Sequence, residues 1–197
     1  MELIKKRPLK YYVLYTVIIV LGIILDQVTK AAVAANMALH ESIPIIDGII
    51  HITYVQNKGA AFGMMADQRW LFIVVSTLAI IGFSLYLYLG HAQNTLYAVA
   101  IAMVISGGIG NMIDRIGLGY VVDFIHCKFV KYPVFSDGGM RWQEFPVFNG
   151  ADSFVCVGAG LLVLALILEI VAEAKAKKVA ESVKSADESD DDRDKAV

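Results

Sequence analysis

The sequence predicts an α-helical integral membrane protein, with four transmembrane helices and a small outward-facing β-sheet with loops. Three observations predict this class. Hydrophobic residues fill 57% of 197 positions and charged residues only 18%, with a mean hydropathy of +0.62, far more apolar than a water-soluble domain of this size. Four apolar stretches, 11–35, 70–89, 96–113 and 154–171, approach the roughly 20 helical residues that cross a hydrocarbon core about 30 Å thick. Most of the unusual polar residues fall in two connections, 36–69 and 114–153.

The first stretch follows a basic start, "KKRPLK", and is interrupted by Asp26 and Lys30. The apolar run ahead of Asp26 covers about 22 Å at about 1.5 Å per residue, which places Asp26 near the far membrane boundary. Asp26 and Lys30 stand at i, i+4 on one helix face, the spacing of a local ion pair. A removable signal peptide is the rival reading of this end. No small-residue cleavage site precedes the charged turn and three more spans follow, so the segment is expected to be retained.

Orientation follows from flanking cations. Lys5, Lys6, Arg7 and Lys10 precede the first span, and Lys175, Lys177 and Lys178 follow the fourth. An even number of spans then puts both termini in the cytoplasm, the two long connections outside, and "GHAQN" in a tight cytoplasmic turn. In the outer connections "IIHITYV" reads as a strand and "NKGAAFG" as a turn or flexible loop. "YVVDFIHCKFV" and "FPVFNGAD" read as extended pieces of the same sheet, with "SDGGMRWQE" as a loop tip between them. The formal net charge of −2 conceals a polarity, because the basic start and the acidic end, "DESDDDRD", cancel. The expected organisation is one membrane domain, 1–175, and an acidic, disordered cytoplasmic tail, 176–197.

The charged residues of "SGGIGNMIDR" and "VVDF" pose the chemical question. Asp114 and Arg115 follow a Gly-rich helix end, Asp123 lies inside an apolar strand-like stretch, and Asp152 heads the last span. Each alone has a plain reading as a helix cap or interfacial anchor. A carboxylate among Val, Phe and Ile has a raised proton affinity, however, and two such groups brought together share one proton. One then activates water while the other donates to a carbonyl oxygen, as in aspartic proteolysis, with no metal or other cofactor. Zinc is a weak alternative, since His40, His51, His91 and His126 lack paired ligand spacing. Cys127 and Cys156 lack metal-ligand spacing, a disulfide is not expected, and nothing around Cys127 marks a nucleophile. A different class, a proton-coupled transporter or lipid-binding membrane protein using boundary carboxylates, is the runner-up. Transporters usually place charges near the midplane across more spans, and here they cluster at one boundary.

From 22 to 171 the motifs "DQVTK", "NKGAAFG", "SGGIGNMIDR", "VVDF" and "FNGAD" occur in an order that closely resembles bacterial lipoprotein signal peptidases, the signal peptidase II family. Each motif is weak alone, and five in order on a four-span chain are specific. The resemblance implies that Asp123 and Asp152 are the catalytic dyad near the outer membrane surface. It implies that Asn57, Asn111, Arg115 and Asn149 line the substrate site or hold the dyad, with Asp26, Lys30 and Asp114 as structural support. It further implies an aspartic endopeptidase of the bacterial inner membrane that cuts prolipoproteins just before a diacylglyceryl-modified cysteine. Its partners would be those substrates and membrane lipids, with no nucleic acid, and it would act as a monomer. Two features depart from the family pattern. The segment between Asp123 and Asp152, containing "KYPVFSDGGMRWQE", is longer than the family leads one to expect, and the acidic tail lies outside the resemblance.

Overall fold

A computed structural model describes residues 7–59, 69–92, 94–136 and 139–194. The element order is α1 (Leu9–Asn36), β1 (Ser42–Ile46), β2 (Ile50–Asn57), α2 (Arg69–Tyr88), α3 (Thr95–Gly117), β3 (Val121–Cys127), β4 (Lys131–Ser136), β5 (Gly139–Glu144) and α4 (Gly150–Asp194). Among the described residues, four helical segments are long and apolar enough to cross a membrane: Leu9–Asn36, Trp70–Tyr88, Thr95–Gly117 and Gly150–Lys178. Lipid-facing side chains such as Leu21, Leu25, Val28, Leu78 and Leu166 remain uncovered by protein. A bilayer imposes no penalty on them.

Helix α3 is the hub, packing against α1, α2 and α4. Its buried face is built largely from small residues, Ala98, Ala100, Ala102, Ser106, Gly107 and Gly110, which let backbones approach where no hydrophobic effect drives helices together. A Cβ on Gly107 would collide with the Ala151 carbonyl of α4, and one on Gly110 would sit 2.5 Å from an Asp26 carboxylate oxygen. At the other end of the bundle Tyr15, Ile19, Leu87, Ala92, Ala98, Ile101, Ala102 and Ile105 form an apolar core.

At the polar end, β1, β2 and β3 form an antiparallel sheet in that order. The β2–β3 register pairs Ile52 with Ile125, shifts, and resumes with Val55 opposite Asp123 and Asn57 opposite Val121. A register shift of this kind re-aims side chains, and it places Asn57 diagonally beside Asp123 on one face.

Several local expectations change. Strand β1 was not expected, and it pairs with β2 antiparallel. The expected loop tip "SDGGMRWQE" is largely β5, which pairs with β4 in a separate two-stranded sheet, not in the sheet of β1–β3. The β4–β5 register closes with Ser136 opposite Gly139, and pairing then takes in the residues that follow, such as Trp142 opposite Pro133. "FPVF" joins the sheet only through a single bridge, Ile125 to Phe148. Helix α3 runs on to Gly117 and so carries Asp114 and Arg115, and α4 starts at Gly150 and so carries Asp152 in its first turn. The segment expected to be irregular after 176 has a helical backbone through Asp194. Most of "NKGAAFG" lies outside the described residues.

Candidate active site

The site rests on a buried ionic knot. Lys30 Nζ lies 2.8 Å from Asp26 Oδ2 and 3.1 Å from Asp114 Oδ2, and it donates to Asn111 Oδ1 at 3.0 Å. Two carboxylates against one ammonium leave an excess negative charge, which must be held by hydrogen bonds in a dry site. Asp26 Oδ1 accepts from the Ala151 backbone N–H at 2.8 Å, at the N-terminus of α4 where a helix favours an anion. Asp114 Oδ2 accepts from the Val122 N–H at 3.0 Å, and Asp114 Oδ1 from Gln27 Nε2 at 3.0 Å. The knot thereby fixes α1, α3, β3 and α4 to one another.

On this base stand two further carboxylates. Asn149 immediately precedes α4, and its Oδ1 accepts from the Asp152 N–H at 2.9 Å while Asp152 Oδ2 accepts from the Asn149 N–H at 3.2 Å. This is a reciprocal capping box, here made by Asn and Asp. The same Asn149 donates through Nδ2 to Asp123 Oδ1 at 2.7 Å. Asn57 Nδ2 donates to Asp123 Oδ2 at 2.9 Å, and the Gly59 N–H holds Asn57 Oδ1 at 2.9 Å, fixing the amide. Asn111 Nδ2 donates to Asp152 Oδ1 at 2.7 Å. Because Asn111 Oδ1 accepts from Lys30 and from Asn149 Nδ2, its amide NH2 is turned toward Asp152.

Asp123 is only 2% exposed. Burial pushes its carboxyl up to about 7; the Asn57 and Asn149 hydrogen bonds and the Lys30 charge act against this, and the Asp152 charge adds to it. Both carboxylates line a cavity of about 390 Å³ with Asn57, Asn111 and Arg115. Its wall from Phe145 to Phe148 is apolar, with the two phenyl rings edge to face at 6.0 Å. The Arg115 guanidinium lies 5.2 Å from the Phe72 ring centroid. The arrangement presents two carboxyls, amide donors and a cation around a space with greasy walls, suited to moving a proton at a polar bond carried by an apolar substrate.

The nine residues put forward for the site and its support fall in this end of the molecule. Asp123, Asp152, Asn57, Asn111 and Arg115 line the cavity, and Asn149 braces both aspartates. Asp26, Lys30 and Asp114 form the knot beneath, including the expected i, i+4 pair. Gln27, which reaches Asp114 and the Gly110 carbonyl, was missed although it sits inside "DQVTK". Ser153, Cys156 and the 145–148 wall were missed too. Cys156 stands one helical turn beyond Asp152, a spacing that shares a face, and this signal was available.

Fold and site together define a class, a multi-span membrane protein that gathers two carboxylates on one cavity at its polar end. The family model described as signal peptidase (SPase) II matches residues 18–168. Lipoprotein signal peptidases are similar at 39% identity over 154 residues in Halalkalibacterium halodurans, covering 78% of this chain and 92% of that one, and at 44% over 152 residues in Symbiobacterium thermophilum, covering 77% and 93%. A solved bacterial membrane enzyme superposes with a TM-score of 0.71 at 31% identity, covering 86% of this chain and 94% of that one; a second gives 0.67 at 32%, covering 84% and 97%. The chain belongs to the signal peptidase II family. It is a membrane peptidase of the lipoprotein signal peptidase type, whose substrates are prolipoproteins, and nothing in these likenesses supports the transporter reading.

Proposed function

We propose that Asp123 and Asp152 are the catalytic dyad and that cleavage falls just before a cysteine carrying a diacylglyceryl group. The observation that carries this reading is Asn149, which hydrogen-bonds both aspartates at the edge of one cavity. Asp123, with its raised proton affinity, carries the shared proton. Asp152 accepts a proton from water as the water oxygen attacks the scissile carbonyl, while Asp123 protonates the carbonyl oxygen. The tetrahedral species collapses with proton transfer to the leaving nitrogen. The carbon–nitrogen bond breaks, releasing the signal peptide with a new carboxyl end and the lipoprotein with a free cysteine amine. Asn57 and Asn149 orient Asp123, Asn111 orients Asp152, and Arg115 places a cation beside the developing charge.

The acyl chains of the substrate fit the apolar cavity wall and the adjoining lipid face of α4. Each buried methylene is worth about 0.8 kcal/mol, so two chains supply much of the binding energy and set the depth of the scissile bond. The flanking cations support a topology with both termini in the cytoplasm and the site at the outer face of the bacterial inner membrane. The test is cleavage of one precursor prepared with and without the lipid, in the same bilayer. Loss of both kcat and KM performance without the lipid is the expected result, and equal rates would overturn lipid anchoring. Labelling of a cysteine introduced at Gly139 from the outer side checks the orientation.

A further inference from the structure

The β4–β5 hairpin belongs to the segment that exceeds the family pattern, and nothing in the catalytic reading uses it. Beyond each other, its strands make little contact with any other element. A two-stranded hairpin standing alone is marginal in water, so a surface of some kind must support it. Its tether is short: the His126 ring lies 3.1 Å from Glu144, and the Phe145 N–H donates to the Val130 carbonyl at 2.8 Å.

The two faces of the hairpin differ in an unexpected direction. Along β4 exposure alternates, with Lys131 and Pro133 open and Tyr132 and Val134 half-buried. The register sets Trp142 opposite Pro133 and Glu144 opposite Lys131, so Pro133, Met140 and Trp142 share the open face. Trp142 is 63% exposed, Met140 54%, and Phe129, just before β4, 59%. A water-facing strand surface would carry polar residues there. Lys131 and Glu144 share this face at its base, with Glu144 engaged by His126, while Lys128 precedes β4 and Arg141 stands on the other face of β5, so cations flank the apolar strip. An aromatic side chain among cations is the composition of a membrane interface with anionic lipid.

Position agrees with composition. Residues 145–149 alone separate β5 from the first residue of the fourth span, a reach of at most about 17 Å. That keeps the hairpin within reach of the headgroup layer, which adds only about 5–7 Å to each side of the hydrocarbon core. Trp70, itself exposed, begins the second span at the same end of the bundle. The lipid-facing belt of the helices thus continues onto the hairpin.

We propose that the open face of the β4–β5 hairpin, with Phe129, Met140 and Trp142, lies in the lipid interface and anchors the cavity wall that follows it to the membrane surface. Residues 145–148 run directly from β5 into the cavity, so the anchor fixes the height of that wall relative to the bilayer.

The chain has two tryptophans, so Trp70→Phe leaves Trp142 as the sole indole emitter. The full-length variant is reconstituted at low protein density into phosphatidylethanolamine vesicles containing phosphatidylglycerol. Emission is then compared with lipids brominated in the upper acyl region and with aqueous iodide. Brominated lipid is expected to remove roughly half of the Trp142 emission, the response of an indole at the interface, with little effect of iodide. Strong iodide quenching without lipid quenching would mean a water-exposed hairpin and would overturn the proposal. Insensitivity to both would mean that protein covers Trp142, through a second copy or the rest of the chain, and would overturn it equally. If Trp70→Phe folds poorly, the difference between the parent protein and Trp142→Phe gives the same readout.

Discussion

Two groups of carboxylates at the same end of the bundle meet different fates. Asp26 and Asp114 close on a single ammonium, Lys30, and their remaining lone pairs go to backbone and amide N–H groups. Asp123 and Asp152 receive amide and backbone donors and, among the described residues, no ion pair, and they open on a cavity. Residue type is the same in both. What differs is the partner: the first pair closes on an ammonium and on fixed N–H donors, whereas the second is oriented by neutral amides and faces open space. The first pair is architecture and the second has the attributes of chemistry, with Asn111 spanning the two by accepting from Lys30 and donating to Asp152.

The comparison is broken most severely by substitution in the proposed dyad. Asp123→Asn and Asp152→Asn should each lower kcat/KM by at least about 10³-fold while the protein stays folded, and the double variant should be no worse than either single one. Substantial turnover by one of them removes that residue from the dyad. Within the knot the expected effect is on stability instead. Lys30→Met leaves two carboxylates buried without a cation and should cost about 3–5 kcal/mol, seen as a large drop in Tm in detergent. An unchanged Tm would mean the knot is not structural.

Titration sharpens the same contrast. Asp123 has its carboxyl raised from 3.8 to about 7, so its folding contribution is fullest below about 4 and is lost as pH climbs through about 7. Asp123→Asn should therefore match the parent's Tm in acid and exceed it above neutrality. The shared-proton state also fails as Asp123 ionises, giving an alkaline limb to kcat/KM near 7. Asn57→Ala removes a donor that favours the ionised form and should move that limb to higher pH, while a limb that stays in place would separate it from Asp123. The smallest effect is expected from deleting the chain after Lys178, which carries no motif and should leave cleavage nearly unchanged.

The pattern of apolar runs was enough to determine four spans, and the five ordered motifs put forward nine polar residues that the fold gathers at one end of the bundle, though not Gln27 or Ser153. Each of these is a local or strictly ordered signal, and spanning a bilayer leaves a backbone few options besides helix. The motif order also put Asp123 and Asp152 forward together, and both line one cavity. Only the tertiary structure decided that Asn149 braces both aspartates, that Gln27 completes the knot, and that "GMRWQE" is a strand in a hairpin of its own. Those outcomes depend on partners brought together across the chain, such as Asn149 with Asn111 or Pro133 with Trp142, whose contact energies override local propensity and leave no periodic trace in the sequence.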